Sequence, residues 1–379
     1  MNNTQLKSRV DAAIRRVLDE ARIVGVTVLI AIDGDLQYQT SAGFADREAR
    51  RALKENDIFR LTSLTKPMVS AAALALIERG SLSLDDEVRR HLPEFAPKTA
   101  DGAMPNITVR QLLTHTAGLS YPFFQPPGGP YQRAGVGDGI SDHGVSMQEQ
   151  IRRVSAVPLS YAPGSAWNYS VAIDVLGAVL ERAHGRDLAA IVRELVTGPL
   201  EMHDTDFAIR DLDRLVVPYA DGRPPKRMQD PDVVEFGGGS GLHYSPSRNV
   251  KGDSFASGGA GMNGTAPEFF RFLETLRRGG GPILKPQTVR LMMENQIGEL
   301  RTNVETTPSW GFGFGGAVLM DPKLAGVPQS RGTFKWGGVY GHHWYIDVER
   351  RMTVACLTNT AIEGMAGPFV GELMAAVYG

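Results

Sequence analysis

Strand signals lie at the two ends of this 379-residue chain and helix signals fill its middle, an order that few architectures accommodate. VTVLIAI (26–32) and LQYQTSAGFA (36–45) flank the turn signal Asp33-Gly34-Asp35 and predict a hairpin. Towards the other end GTFKWGGV, HHWYIDV and MTVACLTN predict three more strands, followed by a closing helix near 364 to 378. Leu6, Val10, Ile14, Val17 and Ala21 recur at helical spacing, so the first segment reads as an amphipathic helix. In between, VRQLLTH (109–115), MQEQIRRVSA (147–156), VAIDVLGAVLERAHG (171–185), LAAIVRELVTG (188–198) and APEFFRFLETLRRGG (266–280) carry helix spacing, several of them stopping at glycine. The expected fold is of the α/β class in its α+β form: one antiparallel sheet covered by the terminal helices, with a mostly helical insertion. The expected boundaries are 1–60 and 255–379 for the sheet domain and 61–254 for the helical one, with a cleft between them. The segment YPFFQPPGGPYQRAGVGDGISDHG (121–144) is too rich in Gly and Pro for a regular element and reads as a functional wall or lid.

Charge and composition exclude several function classes. Forty basic and forty-two acidic residues give a net charge of −2, which supplies no electrostatic reason to bind nucleic acid or an anionic membrane. No window approaches the roughly 18 apolar residues of a membrane span, and the first residues lack an apolar signal-like core, so a cytoplasmic chain is expected. The single cysteine, Cys356, allows no intramolecular disulfide; its apolar β-branched neighbours mark it as a small core residue rather than a nucleophile. The Gly-rich runs near 237–241 and 258–264 lack the ending of a phosphate loop. No G-x-S-x-G nucleophile elbow occurs, the nearest run being Gly238-Gly239-Ser240-Gly241-Leu242. His342-His343 are adjacent on a strand and point to opposite faces, so no metal site is expected. No cofactor is implied, and the oligomeric state is not legible.

The stretch LTSLTKP (61–67) opens on a hydroxyl and an amine three positions apart, then runs into the apolar segment MVSAAALALIERG. Ser63 and Lys66 share a helix face if the helix begins at or just after Ser63, and Pro67 is tolerated in a first turn. An amine held there loses water and meets the positive end of the helix dipole, both of which lower its pKa. A lysine near ~10.4 cannot take a serine proton at neutral pH, whereas one near about 7–8 can. The same residues on a surface helix would be a snorkelling lysine with no role. This is the only S-x-x-K in the chain.

IFRLTSLTKP, LLTHTAGL (112–119), APGSAWNYS (162–170), SGGAGM (257–262) and KWGGVYGHHWYID follow one another in the order seen in the serine β-lactamase and penicillin-recognising superfamily. Within it the chain most resembles the bacterial family VIII carboxylesterases, almost end to end. The resemblance implies a serine β-lactamase-like fold with Ser63 as nucleophile, Lys66 as its base and Tyr169 sharing the proton traffic. Ser170 is the expected N-cap of the next helix, which would fix Tyr169 at a corner.

Two departures from the family pattern bear on substrate. Tyr169-Ser170-Val171 replaces the usual Y-x-N, and Lys335-Trp336-Gly337-Gly338 stands where K-[ST]-G belongs; two registers are possible, and the resemblance to the esterases favours Trp336-Gly337-Gly338, with Trp336 in the lysine's place. An indole offers neither the charge nor the fork of donors that hold a lactam carboxylate, so esters of small or apolar acyl groups are the expected substrates, and the resemblance implies short acyl chains. The backbone N–H groups of Ser63 and Val339 are candidates for an oxyanion hole, although Gly337-Gly338 would also suit a simple bulge. Tyr121, Phe123, Phe124 and Tyr131 either line a substrate pocket with Trp336 or pin the loop that carries them. A serine carboxylesterase is therefore expected, with an acyltransferase using the same acyl-enzyme, a hydrolase with weak lactam activity, and a penicillin-recognising sensor without turnover as alternatives.

Overall fold

The structure, a computed structural model, describes residues 3–141, 144–236, 241–304 and 307–379. Gly238, Gly239 and Ser240 of the near-miss elbow, and Asp142 and His143 of the expected wall, lie outside the described residues.

Helix α1 (Asn3–Asp19) leads into strands β1 (Gly25–Ile32) and β2 (Asp35–Asp46). Ile32 pairs with Asp35, so the turn is Asp33-Gly34, with φ of +57° and +90°. Two positive φ values are what a type I′ turn needs, and they match the twist of the flanking strands. The chain continues through β3 (Arg51–Ala52), helix α2 (Thr65–Glu78), helix α3 (Ala172–His184) and helix α4 (Ala266–Arg277). Strands β4 (Trp310–Phe312), β5 (Ala317–Leu319), β6 (Phe334–Gly338), β7 (His342–Asp347) and β8 (Met352–Thr358) follow, and helix α5 (Pro368–Tyr378) closes the chain.

The eight strands form one antiparallel sheet in the order β4-β5-β6-β7-β8-β1-β2-β3. The β1–β8 pairing joins the two ends of the sequence, with Val28 opposite Cys356 and Ile30 opposite Val354. Alternation along β1 decides the layers. Val26, Val28 and Ile30 pack with Leu6, Val10 and Ile14 of α1 and with Phe369, Leu373 and Val377 of α5. Leu29 and Ala31 face the opposite core, to which α4 contributes Phe269, Phe272 and Leu273. Both faces are therefore covered, which explains why β1 reads as a continuous apolar run rather than an alternating one.

Three details differ from expectation. The sheet has eight strands instead of five, because β3, β4 and β5 are two or three residues long, too short to show alternation. Ala21 lies beyond the end of α1, with φ +50°. The closing helix breaks at Gly367, where Glu363–Ala366 ends and Pro368 starts α5 from a first-turn position. No helix among the described residues is long and apolar enough to cross a membrane.

Leu373 is fully buried between α5 and the sheet. Leu373→Ala is expected to lower the unfolding free energy by about 2–5 kcal/mol, checked by urea titration, with the change in midpoint and not in slope.

Candidate active site

A separate two-stranded pairing beside the sheet brings two of the sequence motifs together. Ile58–Arg60 pairs antiparallel with Asn263–Thr265, and the Leu61 N–H donates to the Met262 carbonyl at 2.9 Å, so LTSLTKP lies against SGGAGM. Thr62 then turns with φ +45°, a left-handed conformation that a β-branched residue adopts only at a cost of ~1–3 kcal/mol. A single 3₁₀ turn over Thr62–Leu64 runs directly into α2. Strand β6 passes so close that a Cβ on Gly338 would stand 2.8 Å from the Leu61 carbonyl oxygen. A glycine is required there for this approach.

The Lys66 amine is fully buried and donates to two acceptors, the Ser63 hydroxyl at 3.2 Å and the Gly259 carbonyl at 2.8 Å. Loss of water pushes its pKa down to about 7, against the opposing pull of the nearby Asp174 carboxylate. The amine also stands 4.4 Å from the centre of the Tyr169 ring. Tyr169 donates its phenol to the Ser63 hydroxyl at 2.6 Å, and the Trp336 indole N–H donates to the Tyr169 oxygen at 3.2 Å. Burial raises the phenol pKa above its ordinary value, so Tyr169 keeps its proton at neutral pH. Ser63, Lys66, Tyr169 and Trp336 thus form one hydrogen-bonded cluster with an amine that titrates near neutrality and a phenol that does not.

Tyr169 is held differently from expectation. Helix α3 begins at Ala172 with no side-chain cap, and the Ser170 hydroxyl lies 3.1 Å from His115 Nδ1 instead. The corner is fixed by Asn168, whose backbone N–H donates to the His115 carbonyl at 3.1 Å and whose side-chain amide donates to the Leu119 carbonyl at 3.0 Å. The His115 ring packs 5.0 Å from that of Tyr169, and burial holds its pKa well below the usual range, so it is neutral. His115 was not singled out by residue type; its signal was its place in LLTHTAGL. Asp174 was missed as well, one residue inside a run that reads as an apolar helix.

Ser63 and Tyr169 open onto a cavity of about 380 Å³. Tyr121, Phe123, Phe124, Trp336 and Val339 line it. Tyr121 and Phe123 stack at 4.6 Å, and Phe123 meets Phe124 edge-on at 4.8 Å. Tyr131 is not among the lining residues. It is fully buried, and its phenol oxygen accepts from the Ser120 N–H at 3.0 Å, so it pins the loop. The Lys335 amine lies over the Trp310 ring at 4.0 Å, while Trp336 faces the tyrosine. His342 and His343 engage different backbone carbonyls, those of Arg60 and Gly364, at 2.9 and 2.8 Å. Burial pushes both histidines down to about 4. Among the described residues no group of three or more His, Cys, Asp or Glu side chains could hold a metal ion.

A family model described as Beta-lactamase matches residues 10–378. Esterase EstB of Burkholderia gladioli is 45% identical over 383 residues, spanning 100% of this chain and 96% of that protein. The solved structure of EstCE1, described as a hydrolase with promiscuous acyltransferase activity, superposes with a TM-score of 0.96 at 42% identity, covering 100% of this chain and 99% of that one. Unliganded simvastatin synthase (LovD) from Aspergillus terreus shares the fold, with a TM-score of 0.75 at 23% identity and 97% of each chain covered.

The pH dependence of serine reactivity follows from the lysine. Below its pKa Lys66 is an ammonium and cannot accept the Ser63 proton; above it the free amine can. Labelling of Ser63 by a fluorophosphonate is expected to accelerate as pH rises through about 7 and then to level off, measured as initial rates by intact-protein mass spectrometry.

Proposed function

The chain belongs to the β-lactamase family, and from that premise we propose that it is a serine carboxylesterase acting through an acyl-Ser63 intermediate. The observation that carries this reading is the double engagement of the Ser63 hydroxyl, by a fully buried amine at 3.2 Å and by a phenol at 2.6 Å. In this reading neutral Lys66 takes the Ser63 proton as the oxygen attacks the ester carbonyl. The tetrahedral oxyanion is received by the backbone N–H groups of Ser63 and Val339. Collapse expels the alkoxide, which takes the Tyr169 phenol proton, and the Lys66 ammonium returns a proton to the phenolate. Water then attacks the acyl-enzyme with the same two groups in the reverse order, releasing the acid and restoring Ser63. The sheet unit, 1–60 and 255–379, and the helical unit, 61–254, form the two walls of the cleft in which this occurs.

The substrate is a small-molecule ester. A cavity of about 380 Å³, at the small end of ligand sites, suits short acyl and alcohol groups, which we assign to the pocket of Tyr121, Phe123, Phe124 and Trp336. Trp336 spends its one N–H on the Tyr169 oxygen, leaving none for a lactam carboxylate. We assign the enzyme to a reducing, cytoplasmic setting on its single buried cysteine, Cys356. The apolar walls also favour a second outcome, transfer of the acyl group to an added alcohol, and EstCE1 carries that activity in its description.

p-Nitrophenyl butyrate tests the reading. Turnover is expected in the parent chain, with none in Ser63→Ala, and with kcat down by roughly 10²-fold or more in Tyr169→Phe. A stoichiometric burst without turnover would instead identify a sensor. Excess short-chain alcohol in the same assay is expected to yield some ester product; acid alone would leave hydrolysis as the sole activity. With nitrocefin the parent is expected to be slower than with the ester by several orders of magnitude, and comparable rates would contradict the assignment of Trp336.

A further inference from the structure

The Lys66 amine touches one atom of SGGAGM, the Gly259 carbonyl, and the Ser257–Gly259 part of that segment is pressed against the start of α3. A Cβ on Gly258 would stand 2.5 Å from the Ile173 carbonyl oxygen, and one on Gly259 would stand 2.9 Å from the Tyr121 phenol and 3.0 Å from Asp174 Oδ2. Asp174 is fully buried. Its Oδ1 accepts from the Ser257 hydroxyl at 2.5 Å and from the Gly259 N–H at 3.1 Å, and Ser257 Oγ in turn accepts from the Ala260 N–H at 3.0 Å. Gly259 therefore gives its N–H to the carboxylate and its carbonyl, at 2.8 Å, to the Lys66 amine. Asp174 does not line the substrate cavity. A buried carboxylate is costly unless it is paired or hydrogen-bonded, and the hydrogen bonds that Asp174 accepts from Ser257 and Gly259 lead on to the Lys66 amine.

We propose that Asp174 is a positioning residue for Lys66: it clamps the Ser257–Gly259 turn so that the Gly259 carbonyl holds the amine against Ser63, and it supplies the fixed negative charge that faces that amine. This rests on the reading of Lys66 as the base. The other groups facing the amine are Ser63 and the rings of Tyr121 and Tyr169, with neutral His115 beside them. Asp138 lies further along the cavity wall. Asp174 is the carboxylate that acts on the amine, working against the effect of burial. Removing its charge while keeping its shape therefore makes the ammonium easier to deprotonate.

The test is the pH dependence of Ser63 labelling by a fluorophosphonate in the parent, Asp174→Asn and Ser257→Ala chains. In Asp174→Asn the midpoint is expected to move to more acid pH by about one unit; a midpoint that stays put or moves alkaline overturns the proposal. Ser257→Ala keeps the charge and loosens the clamp, so its midpoint is expected to hold while its plateau rate falls about tenfold. Should Asp174→Asn fail to fold, Ser257→Ala decides, and an unchanged plateau overturns the proposal. A general loss of stability would move neither the midpoint nor the plateau of the folded fraction. Labelling of Ser63 in the parent keeps the esterase reading even if Asp174→Asn behaves like the parent, whereas no labelling of Ser63 in the parent removes both.

Discussion

A fully buried lysine amine, 3.2 Å from a serine hydroxyl, is the interaction on which the rest of the site depends. Such an amine is unstable as an ammonium because the apolar flank of α2 cannot solvate charge, and the same fact makes it a competent base. The fold carries this cost in three places. The Gly259 carbonyl and the Ser63 hydroxyl take up two of the amine's hydrogens. The Tyr169 ring covers one side of it. Thr62 accepts a left-handed backbone so that the hydroxyl arrives on the same face as the amine. The strain is local, and the large sheet with its two apolar layers supplies the stability that tolerates it.

In the proposed mechanism Tyr169 and Lys66 divide the acid–base work because one burial effect acts on opposite charge types. Desolvation disfavours the charged form, which for lysine is the acid and for tyrosine the base. The amine is thereby poised to accept a proton and the phenol to keep one. Trp336 reinforces the division, since an indole N–H donated to the phenol oxygen leaves that oxygen's own proton aimed at Ser63. A cation in the tryptophan's place would instead pull the phenol towards ionisation and would offer a carboxylate a partner. In the proposed reading, tryptophan in place of lysine bears on both the proton chemistry and the substrate.

Much of this was legible in the sequence, and what escaped did so for identifiable reasons. The hairpin at Asp33-Gly34 and the helices over 172–184 and 266–277 carry strong local signals of turn chemistry or periodicity, whereas the pairing of the chain's two ends follows from the order of the elements along the chain. Strands β3, β4 and β5 carry no such signal, because two or three residues are too few to show a period, so the sheet was read three strands short. Ser63 and Lys66 stand out by their spacing together with the apolar helix they open, and Tyr169 and Trp336 by their place in ordered motifs. The cap expected at Ser170 failed because tertiary contact with His115 claimed its hydroxyl. Asp174 and Gly259 could not be paired in advance, since 85 residues separate them and only the fold brings them together.

The most direct measurement is the ionisation of Lys66 itself. Protein carrying lysine labelled at the ε-position, with Lys66→Met used to assign its resonance, can be titrated by nuclear magnetic resonance. The Lys66 signal is expected to titrate near pH 7, well below the ordinary lysine value of about 10.4. A Lys66 signal that titrates near that ordinary value would contradict the reading of Lys66 as the base.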